Sequence, residues 1–306
     1  MKRQEFDPGL TQQYSGELRR TINRDGGFNV HKKGMRFRDF NSYLFLIDTT
    51  WPRFIAILLA AFLIINAIFA SAYLVNGIER LRGTETSLSP FVNAFFFSVH
   101  TLTTVGYGNI YPEGFGANLL SALEAMTGLL LFAIATGLLY GRFSRPSARI
   151  VFSKSILVAP YQDGSSVQFR IANGRENVLL DLEATVLFMT VRSSDGQLKR
   201  DFVNLSLERR KVYFLPLTWT VVHPIDSDSP LFGKTADDLA KLRAEFLILI
   251  KAFDDTFSQV VNARYSYRHD EMAWGVKFSP PFQIDANGDL VLHMDHIDEV
   301  KQIATP

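Results

Sequence analysis

No cysteine occurs among the 306 residues, so disulfides, zinc–thiolate centres and cysteine nucleophiles are excluded. The common catalytic signatures are also missing. There is no Walker loop, GxSxG, HExxH or GxGxxG, each of which would set a required group at a fixed place in its own fold. The basic start MKRQEFDPGLTQQYSGELRR is not followed by an apolar run, so a secretory leader is not expected. No apolar segment carries a regular arginine series, which argues against a voltage sensor. Neither a cofactor nor a nucleic-acid partner is expected.

Two long apolar runs are present. Phe54 to Leu74 contains 21 residues without a charge, about 30 Å as a helix, which matches a bilayer core. Leu119 to Tyr140 is the second, and its one charge is Glu124. An acid at membrane depth is costly, so it should face protein or water. The run ends at Gly141-Arg142-Phe143-Ser144-Arg145-Pro146, where the proline stops a helix.

Charge is unevenly placed. Residues 1–53 hold ten Lys/Arg against six Asp/Glu, and residues 75–116 hold two against three. Arg142, Arg145 and Arg149 follow the second run. Basic residues on both outer flanks put both termini in the cytoplasm and residues 75–116 outside. The segment through Gly26-Gly27-Phe28-Asn29-Val30 is polar and is expected to be poorly ordered. Phe37, Phe40, Tyr43, Leu44 and Ile47 then share one helical face. Such a helix either lies in the membrane interface or packs on the cytoplasmic part, and amphipathicity does not choose between them. Trp51 suits a headgroup anchor, and Pro52 separates two helices or starts the second.

Between the runs, Ser89-Pro90 opens a short apolar stretch through Thr101. It is too short to span and has the length of a re-entrant helix, with serine as cap and proline in the first position. Thr104-Val105-Gly106-Tyr107-Gly108 follows. Irregular backbone at membrane depth is tolerated where protein buries it or water lines it. Glycines open backbone angles closed to other residues, so successive carbonyls can point the same way. TVGYG is the loop whose carbonyl rings replace the hydration shell of potassium in potassium channels. Its position after a re-entrant helix and between two spans is what that role needs. Potassium is therefore expected at oxygens of Thr104, Val105, Gly106 and Tyr107.

Beyond Pro146 short β-rich runs alternate with the turns DGSS, NGRE, SSDG and DANGD. Leu182–Val186 and Lys199–Leu207 alternate like strands. Many short strands with regular turns predict a β-sandwich or barrel. Thr235 and Asp238 resemble a capping pair for a helix to Leu242, and Asn287-Gly288 reads as a hairpin turn. His293-Met294-Asp295-His296-Ile297-Asp298 is read as a solvated strand end rather than a metal site.

Further motifs come after the spans: Arg170-Ile171-Ala172-Asn173; Trp219-Thr220-Val221-Val222-His223-Pro224-Ile225-Asp226; Ser229-Pro230-Leu231-Phe232; Glu245-Phe246-Leu247; and Ala263-Arg264-Tyr265-Ser266-Tyr267 with Asp270-Glu271 and Trp274-Gly275. With the filter, and in this order from about residue 37 to 280, the chain resembles the inward-rectifier potassium channels, most closely their prokaryotic branch. The resemblance implies a homotetramer in a bacterial inner membrane. It also implies an interfacial slide helix and a cytoplasmic immunoglobulin-like β-sandwich. The expected organisation is a polar segment 1–36, slide helix 37–50, pore domain 51–145 and β domain 146–306. Within the pore domain, spans fall at about 54–74 and 117–142, the pore helix at about 90–102 and the filter at 104–108.

The resemblance also assigns roles. Phe132 and Tyr140 match constrictions of the pore, against the alternative of lipid-facing or interfacial aromatics. Gly128 is either a hinge or a point of close packing. Glu124 either supports the filter from behind or faces the cavity. Arg36, Arg38, Arg53, Arg142 and Arg145 form the expected contact with anionic lipid, and the prokaryotic relatives suggest inhibition. Three departures stand out. The glutamate–arginine pair of many animal members is replaced by His100 and Ile110. The acidic cavity position is Phe132, which implies weak rectification. Ser147 and Ala148 thin the basic cluster after Pro146.

Overall fold

The computed structural model describes residues 9–10, 13–14, 20–31, 33–34, 41–144, 148–194 and 197–303. The chain divides into two compact units, residues 33–145 and residues 1–32 with 146–306.

The first unit is helical. Helix α1, Ser42–Asp48, starts where the Asn41 side chain accepts from the Leu44 N–H at 3.1 Å. Phe37 and Phe40, placed on its apolar face from sequence, lie outside the described residues. Helix α2, Trp51–Asn76, carries Pro52 in its first turn, where a missing N–H costs nothing. Helix α3, Pro90–Leu102, is capped by Ser89, whose hydroxyl accepts from Val92 N–H at 3.3 Å. Helix α4 runs from Gly114 to Phe143. Helices α2 and α4 are both long and apolar enough to cross a membrane.

The connections hold α3 in place. Leu81–Arg82 pairs antiparallel with Tyr111–Pro112. The buried Asn93 accepts from Glu85 N–H and donates to Glu85 C=O, both at 2.9 Å. Ala70 and Tyr73 of α2, Ala94 and Phe97 of α3, Leu81 and Ile110 form one apolar cluster. Ile110 is thus spent on packing.

The second unit is a β-sandwich. One sheet has the spatial order Gln13–Tyr14, Gln197–Asn204, Leu179–Ser194, Glu245–Asp254, Gln259–Arg268, with Lys211–Phe214 also on Leu179–Ser194. The other runs Thr218–Ile225, Gly164–Asn173, Ile156–Tyr161, Met272–Trp274, with Ile150–Phe152 also on Gly164–Asn173. Ile156, Phe169 and Ile171 of one sheet meet Leu182, Phe246, Ile248 and Tyr267 of the other in a common core. Helix α5, Ala236–Lys241, has the reciprocal cap of Thr235 and Asp238. Residues Asn287-Gly288 turn the hairpin of Phe282–Ile284 and Leu290–Leu292, with Gly288 at φ 91°.

One expectation is corrected. The N-terminal segment through Val30 is not uniformly loose. Arg20 forms an ion pair with Glu271 at 2.7 Å, and Thr21 gives its N–H and its hydroxyl to the buried Glu245 carboxylate at 3.0 and 2.9 Å. Ile22 is buried with Met189, Phe202 and Leu247. Of the described part, Arg20, Thr21 and Arg24 have carboxylates of the sandwich as partners.

Candidate functional site

Helix α3 ends at Leu102, and the filter sequence starts from its last turn. Thr103 N–H donates to Val99 C=O at 3.1 Å, Thr104 N–H to Thr101 C=O at 3.0 Å and Gly106 N–H to His100 C=O at 3.1 Å. From there the backbone alternates in hand. Thr104, Gly106 and Gly108 have φ of 60°, 56° and 79°, whereas Val105 and Tyr107 do not take positive φ. Alternation of this kind turns successive carbonyls to one side of the strand. Threonine in the left-handed region costs about 1–3 kcal/mol, and such strain persists where the surroundings over-determine it. His100 supplies part of that hold, with its ring edge-on to Tyr107 at 4.9 Å.

Behind α3 lies a buried polar group. Glu124 of α4 is fully buried. Its Oε2 accepts from the Tyr73 hydroxyl at 2.7 Å, and its Oε1 meets the Ser98 hydroxyl. Ser98 also contacts Asn66 Oδ1 at 2.9 Å. The carboxyl points at α2 and α3. One turn further on, a Cβ on Gly128 would lie 2.1 Å from Leu102 O. The two contacts are spaced i, i+4 on both helices, which keeps α4 in register with the end of α3.

Phe132 and Tyr140 are 74% and 73% exposed in the single chain, so both rings are open to a partner copy, a pore or lipid. Arg142 is engaged within its own unit. Its guanidinium donates to the carbonyls of Leu46, Ile47 at 2.9 Å and Thr49 at 2.8 Å, and lies 4.6 and 4.5 Å from the ring centroids of Trp51 and Phe54. It therefore caps the C-terminus of α1, whose last carbonyls have no helical partner. Tyr43 and Ile47 of the same helix pack over Gly141. Arg53 is exposed. Arg36, Arg38 and Arg145 lie outside the described residues.

Among the described residues no group of three or more His, Asp or Glu side chains is arranged to hold a metal. In the HMDHID stretch the His293 and His296 rings stack at 5.1 Å, and His296 lies 3.6 Å from Asp295 and 3.8 Å from Glu299. Sequence reasoning missed Asn66, Tyr73 and Ser98. Asn66 left a signal, as an amide within an uncharged apolar run, because polar groups at that depth seek partners on neighbouring helices.

Comparisons with known proteins converge on one family. Residues 150–306 match the inward rectifier potassium channel C-terminal domain, and residues 56–145 match the ion channel family. The chain is 36% identical over 288 residues to the inward rectifier potassium channel Kirbac3.1 of Paramagnetospirillum magnetotacticum, covering 92% of this chain and 96% of that protein. It is 26% identical to the inward rectifier potassium channel irk-1 of Caenorhabditis elegans, covering 91% of this chain and 55% of that one. Identity to the G protein-activated inward rectifier potassium channel 2 of Rattus norvegicus is 23%, over 95% and 73% of the two chains.

Proposed function

This chain belongs to the inward rectifier potassium channel family, whose members are membrane ion channels and not enzymes, and we propose that it is a homotetrameric potassium channel of a bacterial inner membrane. Four copies of Thr104, Val105, Gly106, Tyr107 and Gly108 line a common axis, and potassium passes between their oxygens. The observation that carries this reading is the alternating backbone hand at Thr104, Gly106 and Gly108. It supports an inward row of carbonyls that one chain alone cannot close around an ion. Val105 and Tyr107, 52% and 74% exposed in the single chain, are left for neighbouring copies to cover.

In this reading residues 37–50 act as the slide helix, 51–145 as the pore domain and 146–306 as the cytoplasmic domain, with both termini in the cytoplasm. Phe132 and Tyr140 form apolar constrictions that block ions by dewetting. Gly128 holds the pore-lining helix against the pore helix, and any bending occurs around that contact. Glu124 supports the filter. Phe132 occupies the cavity position where an acid would bind polyvalent cations, so rectification is weak. Anionic phospholipid inhibits through Arg53 with Arg36, Arg38 and Arg145, each basic group contributing on the order of 1 kcal/mol near such a surface. Arg142 contributes through the slide helix.

The test is flux from liposomes with potassium or sodium as the permeant ion. Wild-type protein passes potassium selectively, and Gly106→Ala, which forces a Cβ onto a backbone at positive φ, abolishes conduction or selectivity. Equal potassium and sodium flux in the wild type would overturn the reading.

A further inference from the structure

The group behind the filter contains more oxygen contacts than an ionised Glu124 can satisfy. Three contacts run in a chain: Tyr73 Oη to Glu124 Oε2 at 2.7 Å, Glu124 Oε1 to Ser98 Oγ, and Ser98 Oγ to Asn66 Oδ1 at 2.9 Å. A hydrogen bond needs one hydrogen per contact. Tyrosine supplies one and serine supplies one. The carboxylate and the amide oxygen supply none. Two hydrogens therefore serve three contacts, and one pair of oxygens faces lone pair to lone pair.

Reversing the Asn66 amide does not repair this. Its nitrogen donates to Phe62 C=O at 2.7 Å. A reversed amide would set its oxygen against that carbonyl and move the deficit by one residue. Four side chains are involved, and Asn66, Ser98, Glu124 and Tyr73 are each no more than 1% exposed, so bulk water does not supply the missing hydrogen.

Among the described residues, none of the three helices brings a cation against the Glu124 carboxyl. Helix α3 contains no Asp, Glu, Lys or Arg, and its one titratable group is His100, whose ring sits on Tyr107. The other formal charge on α2 is Arg53, 13 positions before Asn66 and so about 20 Å along the axis. The other formal charge on α4 is Arg142, 18 positions beyond Glu124 and about 27 Å away. Tyr73 is the remaining titratable group in contact. An isolated buried carboxylate in such a place takes up a proton rather than stay charged.

We infer that Glu124 is held as a neutral carboxylic acid whose proton is donated to Ser98, so that a directional hydrogen-bond chain, Tyr73 to Glu124 to Ser98 to Asn66, ties the pore helix to both spans. With that proton each contact has one hydrogen, and every donor points at an acceptor. Glu124 is then a positioning residue. It does not touch the permeant ion, and it fixes Ser98, one helical turn before Leu102 and the filter. Strong alkali that removes the proton breaks the chain at Ser98 and leaves a buried anion. This inference deepens the filter-support role assigned above and rests on that reading.

Two measurements separate the outcomes. Infrared difference spectroscopy of the full-length channel in lipid, wild type against Glu124→Gln, should show at neutral pH the carbonyl band of a protonated carboxylic acid that shifts in D2O and is lost in the variant. A carboxylate doublet in place of that band overturns the inference, whatever the channel conducts. The second measurement is the potassium-to-sodium flux ratio. Glutamine can donate to Ser98 and accept from Tyr73, so Glu124→Gln should keep the wild-type ratio but lose the fall in flux at alkaline pH, whereas Glu124→Ala, which removes both contacts, should lower the ratio about tenfold. An unchanged alkaline response in Glu124→Gln also overturns the inference. Absence of potassium selectivity in the wild type would instead overturn the channel reading and leave the infrared result to decide the protonation state.

Discussion

Arg142, at the end of one long helix, donates to the carbonyl of Thr49, 93 positions earlier, at 2.8 Å. The same guanidinium reaches Ile47 and lies on the rings of Trp51 and Phe54. A planar fork can bond several carbonyls and stack at once, and an ammonium cannot. The expected result for Arg142→Ala is loss of thermal stability and altered flux in both zwitterionic and anionic liposomes. Each lost charge-assisted bond is worth about 1.5–3 kcal/mol. Arg142→Lys should recover only part of this. A variant with normal melting that loses only its anionic-lipid response would make Arg142 a headgroup ligand instead.

Acid should weaken the sandwich in two stages. His223 is buried, with Nδ1 donating to Ser206 C=O at 2.6 Å and Nε2 accepting from the Ser229 hydroxyl at 2.8 Å. Burial holds it below the ordinary value of 6.5, with the Ser206 carbonyl and Asp226 opposing. The unfolded chain therefore binds this proton first, and the stabilisation is complete above pH 6.5 and lost as pH falls below it. For Glu271, burial pushes upward but is outweighed by the Arg268 N–H and the Arg24 and Arg20 guanidiniums, which hold it below 4.5. Its contribution is present above pH 4.5 and lost as pH falls from there. Denaturation of the full-length channel between pH 7.5 and 5.5 should show the first stage, and His223→Gln should flatten it. An equal slope in the variant would remove His223 from the account.

The N-terminal segment should prove part of the sandwich. Deleting residues 1–30 removes the two Thr21 donors from the Glu245 carboxylate, and a hydrogen bond to a charged group contributes about 1.5–3 kcal/mol. Adding Glu245→Gln to the deletion removes the charge and should restore part of the loss. If the deletion melts as the wild type does, the contacts of Thr21 with Glu245 carry no stability.

These cases show what could be read from sequence. The α5 cap was legible because Thr235 and Asp238 are three positions apart and their chemistry is local. The two spans were legible from length and apolar content, Phe54–Leu74 being 21 residues without a charge and Leu119–Tyr140 carrying only Glu124. Thr21 and Glu245 are 224 positions apart, and nothing in a polar segment names a partner at that distance. Arg142 was read as a headgroup contact because a basic residue beside a span has that default. The carbonyls of α1 to which it donates leave no mark on composition. Glu124 was legible as costly, but the hydrogen deficit appeared only once Ser98, Tyr73 and Asn66 were seen together.

Gly128 separates two readings by the sign of one substitution. A Cβ there would lie 2.1 Å from Leu102 O, 2.9 Å from its carbonyl carbon and 3.1 Å from its Cα. All three are backbone atoms at the end of α3, so no side chain can rotate away. If the glycine were present only to let the helix bend, alanine would stabilise the helix by about 1 kcal/mol. Close packing predicts the reverse. Overpacking of this kind costs about 1–3 kcal/mol, and the displacement falls on Leu102, immediately before the filter. Gly128→Ala should therefore lower the melting temperature of the detergent-solubilised channel and reduce its potassium-to-sodium flux ratio together. A variant that melts higher, keeps its selectivity and opens less often would make Gly128 a hinge and not a packing contact.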